Sequence, residues 1–255
     1  MSEVVNGQNI LLGRGKLYFD RFNSSGVRTG ERFLGNCPTF EITPASEDIK
    51  KYSSADAAAD LIASDVLRTT LGLRIVGDEF TKENLAMALF GDNSSIVQTG
   101  AAITNEAIAN VQQGCYYPLL YRQVSAVTVT GPAGTPVYVL TDDYTVDAVS
   151  GRIYIVVGGG IADDADIEVD YTYATIDLPT VRGMNQTSVK GYLRFKGDPA
   201  RGPQYECEIW RASVHSDGAI GFIADEYASF TLTGDIESDA ANHPDDPHYR
   251  LIKVA

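Results

Sequence analysis

At 255 residues, with 44% hydrophobic and 21% charged side chains, the chain can bury a full core and has the composition of an ordinary globular protein rather than a disordered one. Its net charge of −14 argues against a surface that grips nucleic acid, which needs clustered Lys and Arg. No run nears the roughly 18 apolar residues of a membrane span, and residues 1–10 lack the basic start and apolar middle of a signal peptide, so synthesis in a cytosol is expected.

The acidity is uneven: residues 120–178 hold two basic and nine acidic side chains, half of the whole excess. Cys37, Cys115 and Cys207 are odd in number and form no Cys-x-x-Cys pair, so reduced, mostly buried thiols are expected.

Residues 1–8 read as a polar arm able to order on a partner. Residues 11–20 give a strand in which Leu17 and Phe19 alternate with Lys16 and Tyr18. Gly13 and Gly15 precede a strand rather than a helix, so they are no dinucleotide fingerprint. A turn at residues 23–26 leads back through residues 28–34 to the centre of the chain, two strands joined by a long polar loop.

The first of these strands, residues 38–49, points Phe40 and Ile42 one way and Thr39, Glu41 and Thr43 the other. In the second, residues 66–76, Leu67, Leu71, Leu73 and Ile75 oppose Arg68, Thr70, Gly72 and Arg74. The segment between them, residues 50–65, exceeds the usual span of an ordered hairpin loop, and loops of about 12 to 15 residues are commonly functional or disordered. Its functional reading is a latch between subunits that also includes Tyr52: Lys50 and Lys51 near Asp56, Asp60 and Asp65 offer both charge signs to a second copy, with Leu61 and Ile62 as its apolar anchor. A helix follows over residues 81–91, capped by Thr81 and stopped by Gly91. Phe80 is placed to staple Leu85, and Leu85, Met87, Leu89 and Phe90 form its docking face.

Residues 92–114, rich in Ala, Asn, Gln and Thr, read as a surface excursion. Short β-branched segments then recur at residues 124–130, 137–140, 143–146, 152–157 and 166–173 between glycine-rich turns. That rhythm predicts a small antiparallel β-sandwich at 124–175, inserted into a domain made of 1–123 and 176–255. The last third returns to long strands at 188–195, 204–214 and 219–233, before a proline-bounded acidic linker and a short terminal strand that docks on this subunit or a neighbour.

Catalysis has no visible foothold, and neither a cofactor nor a metal is expected. Glu206 and Glu208 share a strand face, as a glycosidase pair would, but nearby aromatics and a third acid are lacking. His243 and His248 with Asp245 and Asp246 match no zinc spacing. Asp163, Asp164 and Asp166 lack the order of a calcium loop, and Ser213 with His215 has no orienting acid at a predictable place.

The order strand, long loop, strand, docked helix resembles the major tail tube proteins of long-tailed, siphovirus-like bacteriophages. The phrases carrying it are Phe33-Leu34-Gly35-Asn36, Tyr52-Ser53-Ser54, the capped helix and Phe230-Thr231-Leu232-Thr233-Gly234-Asp235. Within the insertion, Asp143-Tyr144-Thr145-Val146-Asp147, Ser150-Gly151-Arg152-Ile153-Tyr154-Ile155 and Val169-Asp170-Tyr171-Thr172-Tyr173 are similar to a module of phage virion proteins.

The resemblance implies a mainly β, tail-tube-type sandwich or barrel with one flanking helix and a long hairpin loop. It also implies a structural, non-enzymatic virion protein whose six-membered rings stack into a tube that conducts DNA during ejection. Expected partners are further copies of the chain, a tape measure protein and the tail terminator and distal tail proteins; DNA passes without specific binding. Mapped onto this chain, Glu41, Thr43, Glu47, Arg68, Thr70 and Arg74 would line the bore, residues 50–65 would meet the adjacent ring, and the insertion would decorate the exterior. Deleting residues 125–175 is then expected to leave assembly intact. The rival reading is a two-domain β-sandwich module recognising carbohydrate or a cell surface through Trp210 and the 14 tyrosines.

Overall fold

The computed structural model describes residues 7–55 and 57–254. It is mainly β, 53% strand and 5% helical, with several antiparallel sheets. Elements run β1 (Gly15–Arg21), β2 (Arg32–Phe33), β3 (Thr39–Tyr52), β4 (Leu61–Gly77), α1 (Lys82–Ala88), β5 (Asp92–Gln98), β6 (Ala101–Val111), β7 (Tyr116–Pro118) and β8 (Val124–Thr130). There follow β9 (Tyr144–Asp147), β10 (Arg152–Ile155), β11 (Ala165–Tyr173), β12 (Ile176–Arg182), β13 (Val189–Gly197), β14 (Tyr205–Ser216), β15 (Phe230–Ile236) and β16 (Tyr249–Lys253). The chain divides into two compact units, Met1–Asn93 with Val181–Ala255, and Ser94–Thr180.

The first unit is one antiparallel sheet in the order β2-β1-β13-β14-β15-β4-β3, with β16 paired to the first half of β14. Alternation puts Leu17 and Phe19, Leu193, Cys207 and Ile209, Leu232, and Leu73 and Ile75 on one face, where they form a single buried cluster. Ile209 and Ala212 are both buried despite an odd spacing, because a register shift opposite Gly191 and Leu193 turns the strand over. The sheet curls far enough for Phe40 on β3 to meet Phe195 on β13, centroids 5.4 Å apart, although three strands separate them in the sheet order.

Helix α1 covers part of this core. Thr81 caps it as expected, its Oγ1 accepting from the Asn84 N–H at 3.2 Å. Its docking face differs from the pattern read in sequence: Asn84, Ala86, Met87 and Ala88 are buried, Leu85 and Leu89 only half so, and Phe80 packs edge-on against Phe230. The helix ends early, with Leu89 as C-cap and Phe90 left-handed at φ 53°. Asn84 is inside because every polar atom has a partner: its amide donates to the Leu34 and Glu79 carbonyls, each at 2.8 Å, and its Oδ1 accepts from Arg32 Nη2 at 2.8 Å.

The second unit holds two three-stranded antiparallel sheets, β7-β10-β9 and β6-β11-β8, around a core of Val111, Val129, Ile153, Ile155, Ile167 and Val169. Its start lies 30 residues before the boundary read from sequence. Residues 92–114 are no surface excursion: β6 pairs along the whole of β11, from Val111 opposite Ala165 to Ala101 opposite Tyr173. Residues 137–140 form only isolated bridges to Thr130 and Tyr144 instead of a strand. The polar, alanine-rich composition of β6 hid it, because the strand is mostly exposed and is held by its ladder to β11 rather than by an apolar face of its own.

The two-stranded sheet of β5 and β12 contains both points at which the chain passes between the units. Gly91 sits against the Arg182 carbonyl, which a Cβ there would approach to 2.5 Å. Replacing residues 94–180 with a short Gly-Ser linker is therefore expected to leave the first unit folded, with one cooperative melt. Removing only residues 125–175 takes away all of β11, the partner of β6, with most of β8, and exposes Val111 and Leu119, so that variant is expected to aggregate. Thermal melts of the two proteins make the comparison.

Candidate functional site

The central hairpin is longer and its loop shorter than the sequence pattern indicated. Strands β3 and β4 stay paired from Thr39 opposite Val76 to Tyr52 opposite Leu61, and the Ser53 N–H donates to the Asp60 carbonyl at 2.7 Å. Lys50, Lys51, Tyr52, Leu61, Ile62 and Asp65 therefore lie on the strands, and of the described residues only 53–55 and 57–60 lie between them. Asp56 lies outside the described residues. Lys50 stands opposite Ser64, Lys51 opposite Ala63 and Asp65 opposite Ile49; among the described residues neither lysine is ion-paired with Asp60 or Asp65.

From Ala45 to Tyr52 on β3, and from Leu61 to Thr70 on β4, every residue is exposed. Ile49, Tyr52, Leu61, Ile62, Val66 and Leu67 are each more than half accessible. This is a two-stranded ribbon with no layer against either face, and such hairpins are marginal in water unless something packs on them. Two register shifts, at Leu67 and Ile62, add local twist. Strand β3 is also the edge of the sheet, which is why Pro44 is tolerated in it: its missing N–H removes no interior ladder bond.

The structure brings the six residues read as bore-lining onto one face. Glu41 lies opposite Arg74, Thr43 opposite Gly72, Ala45 opposite Thr70 and Glu47 opposite Arg68. Arg68 Nε donates to Glu47 Oε2 at 2.7 Å, and Arg74 Nη1 lies 3.5 Å from Glu41 Oε2. All four groups are largely solvated, so each pair contributes at most about 1 kcal/mol; their effect is to neutralise the face. The polar face continues inward, with Thr233 and His215 in the row of Glu41 and Arg74, and Asp235 and Ser213 in the row of Thr43 and Gly72.

Residues 10–249 match a protein family described as protein of unknown function UCP028589. The chain belongs to the UCP028589 family. A search of curated proteins finds no match. The matched span takes in the whole Ser94–Thr180 unit of the UCP028589 member.

Most of the other side-chain groups weighed in this UCP028589 member have structural partners, although the buried His248 Nδ1 has none among the described residues. Glu208 binds Arg194 Nη1 at 3.0 Å and accepts from the Tyr192 hydroxyl at 3.2 Å, while Glu206 stands opposite Lys196. Asp163 and Asp166 accept from the Gln113 and Asn110 N–H groups at 2.8 and 3.0 Å, and Asp164 accepts from the Gln112 amide at 2.7 Å, which ties down the end of β6. His243 pairs with Asp239 at 3.0 Å and stacks on Trp210 at 3.8 Å; the indole N–H donates to the Asp246 carbonyl at 2.7 Å. His215 Nε2 meets Thr233 Oγ1 at 3.3 Å. Among the described residues no three His, Cys, Asp or Glu side chains gather as a metal site, and no helix is long and apolar enough to cross a membrane.

Burial, with the nearby Asp78 and Glu79 charges, pushes the Cys37 thiol up to about 11; burial, with Glu208, does the same at Cys207. Two features escaped the sequence reading. One is the aromatic and arginine cluster in which Arg28 lies 3.8 Å over the Tyr192 ring. The other is the segment between β14 and β15: residues 219–229 are not strand, because pairing ends at Ser216 opposite Leu232.

Proposed function

We propose that this chain is a self-assembling structural subunit of a phage-type tail tube, in which rings of copies stack and DNA passes through the bore without specific binding. The observation that carries the reading is the ribbon of β3 and β4, exposed on both faces beyond Ala45 and Thr70 and lined with large apolar side chains. An exposed edge strand with such a surface is an aggregation liability in a monomer and becomes an interface when copies close on one another.

Two further observations support it. The face bearing Glu41, Thr43, Glu47, Arg68, Thr70 and Arg74 has its charges paired across the strands, which suits a wall that must not brake a passing polyanion. The Ser94–Thr180 unit carries two basic and ten acidic side chains, against 18 and 24 in the rest of the chain, which suits a soluble exterior decoration. On this reading the protein resides in the virion tail, its partners are further copies, a tape measure protein and the proteins capping each tube end, and the ribbon tip meets the next ring. Trp210, the best stacking platform for the rival sugar-binding reading, is already covered by His243.

Negative-stain electron microscopy of the purified chain across a concentration series tests the proposal. Rings or hollow tubes that accumulate with concentration are expected; a chain that stays monomeric throughout overturns it.

A further inference from the structure

The first unit carries an open apolar groove of about 490 Å³ lined by Leu11, Phe40, Ile42, Phe195, Cys207 and Leu251. Its volume is in the range that engulfs a drug-sized body. Arg14 lines it and Lys253 lies on the same face of β16 as Leu251, neither of them ion-paired among the described residues, so its rim is basic.

At the far end of β14, residues 217–229 form a loop with the opposite character. Ile220 packs on the core, but Phe222 is 75% exposed, Ile223 98% and Tyr227 fully so. The segment contains Asp217, Asp225 and Glu226 and no basic side chain.

We propose that the loop of residues 217–229 docks into the apolar groove of a second copy of this chain. Phe222 and Ile223 would fill the groove, and Asp225 and Glu226 would face its basic rim. Within one copy the loop does not fill the groove, since Phe222 and Ile223 stay in solvent.

A contact between different patches on the two copies is heterologous. It repeats head to tail and closes into a ring or runs on as a filament. The inference rests on the self-assembly reading above and gives it a named contact within the first unit, separate from the ribbon.

The test uses two proteins with one added cysteine each, Ile223→Cys and Leu251→Cys, in a Cys37→Ser, Cys115→Ser background that keeps Cys207; both target side chains are exposed, so folding should be undisturbed. Cys207 is buried, with its thiol pushed up to about 11, and should react slowly. The proteins are mixed, allowed to assemble and treated with a short bis-maleimide. A cross-linked dimer in the mixture, absent from either protein alone, is expected. Adding Phe222→Ser to the Ile223→Cys protein should abolish it while leaving the thermal melt of the chain in place. Tubes that form without this cross-link overturn the contact and leave the tube reading standing. The cross-link in discrete oligomers that never form tubes upholds the contact and removes the tube. Monomers with no cross-link overturn both.

Discussion

Deleting residues 48–67 and closing the hairpin between Glu47 and Arg68 with Asn-Gly is expected to give a folded subunit that no longer assembles. Glu47 and Arg68 are directly opposite and already ion-paired, so a two-residue turn bridges them at the existing strand separation. None of the described residues removed contributes to the buried core of the first unit, so the thermal midpoint should move by no more than about 2–4 °C, the change that about 1 kcal/mol causes in a chain of this size. Assembly should be lost outright, because the deletion takes away Ile49, Tyr52, Leu61, Ile62, Val66 and Leu67, the apolar surface with no partner in the subunit. Sedimentation velocity beside a thermal melt makes the distinction. Tubes of normal length from the truncated chain would show that the ribbon is not an interface.

Asp20→Ala should cost the first unit about 3 kcal/mol, as removal of one partner from a buried charge network does, lowering its midpoint by roughly 6–12 °C. Asp20 is almost wholly buried at the end of β1 and accepts from Arg28 Nε at 2.7 Å, the Thr29 N–H at 2.8 Å and the Gly30 N–H at 2.7 Å. These bonds pin residues 28–30, and Arg28 in turn lies over Tyr192 and binds Glu31 at 2.9 Å. Alanine leaves two backbone donors and a guanidinium without their acceptor.

Burial alone raises the Asp20 carboxyl, but the bonds from Arg28, Gly30 and Thr29, together with the Arg28 charge, more than offset this and hold it below the ordinary carboxylate value. A depressed folded pKa means that the carboxylate's contribution is fully present above the unfolded value of about 4 and is lost as pH falls through the folded one. Asp20→Asn should be the less stable protein near neutrality and should converge on the native chain in acid. Melts from pH 7 down to about pH 2 measure both slopes; parallel curves would show that the network contributes nothing.

Local pattern was enough wherever the amino-acid sequence states both faces of a strand. Phe40 and Ile42 against Glu41 and Thr43, and Leu71, Leu73 and Ile75 against Arg68, Thr70 and Arg74, announce the hairpin and place the six polar residues together, because a period of two leaves one register that buries the apolar set. The Thr81 cap was legible for the same local reason: a side-chain oxygen reaches an N–H three residues on.

What the sequence left open depended on distant residues. Strand β6 has no apolar stripe and exists through its pairing with β11, some 60 residues later. Asn84 looks like a surface residue until Leu34, Glu79 and Arg32 are seen around it. The loop of residues 217–229 has as much apolar character as a strand, yet pairing ends at Ser216 and Leu232 and leaves Phe222, Ile223 and Tyr227 in solvent. The amino-acid sequence by itself determined the β class, the hairpin, its charged face and the cap of the helix, since each depends on side chains a few residues apart. The unit boundary, the length of the ribbon and the apolar surfaces left uncovered were decided only by the tertiary structure, because burial is a property of which strands meet.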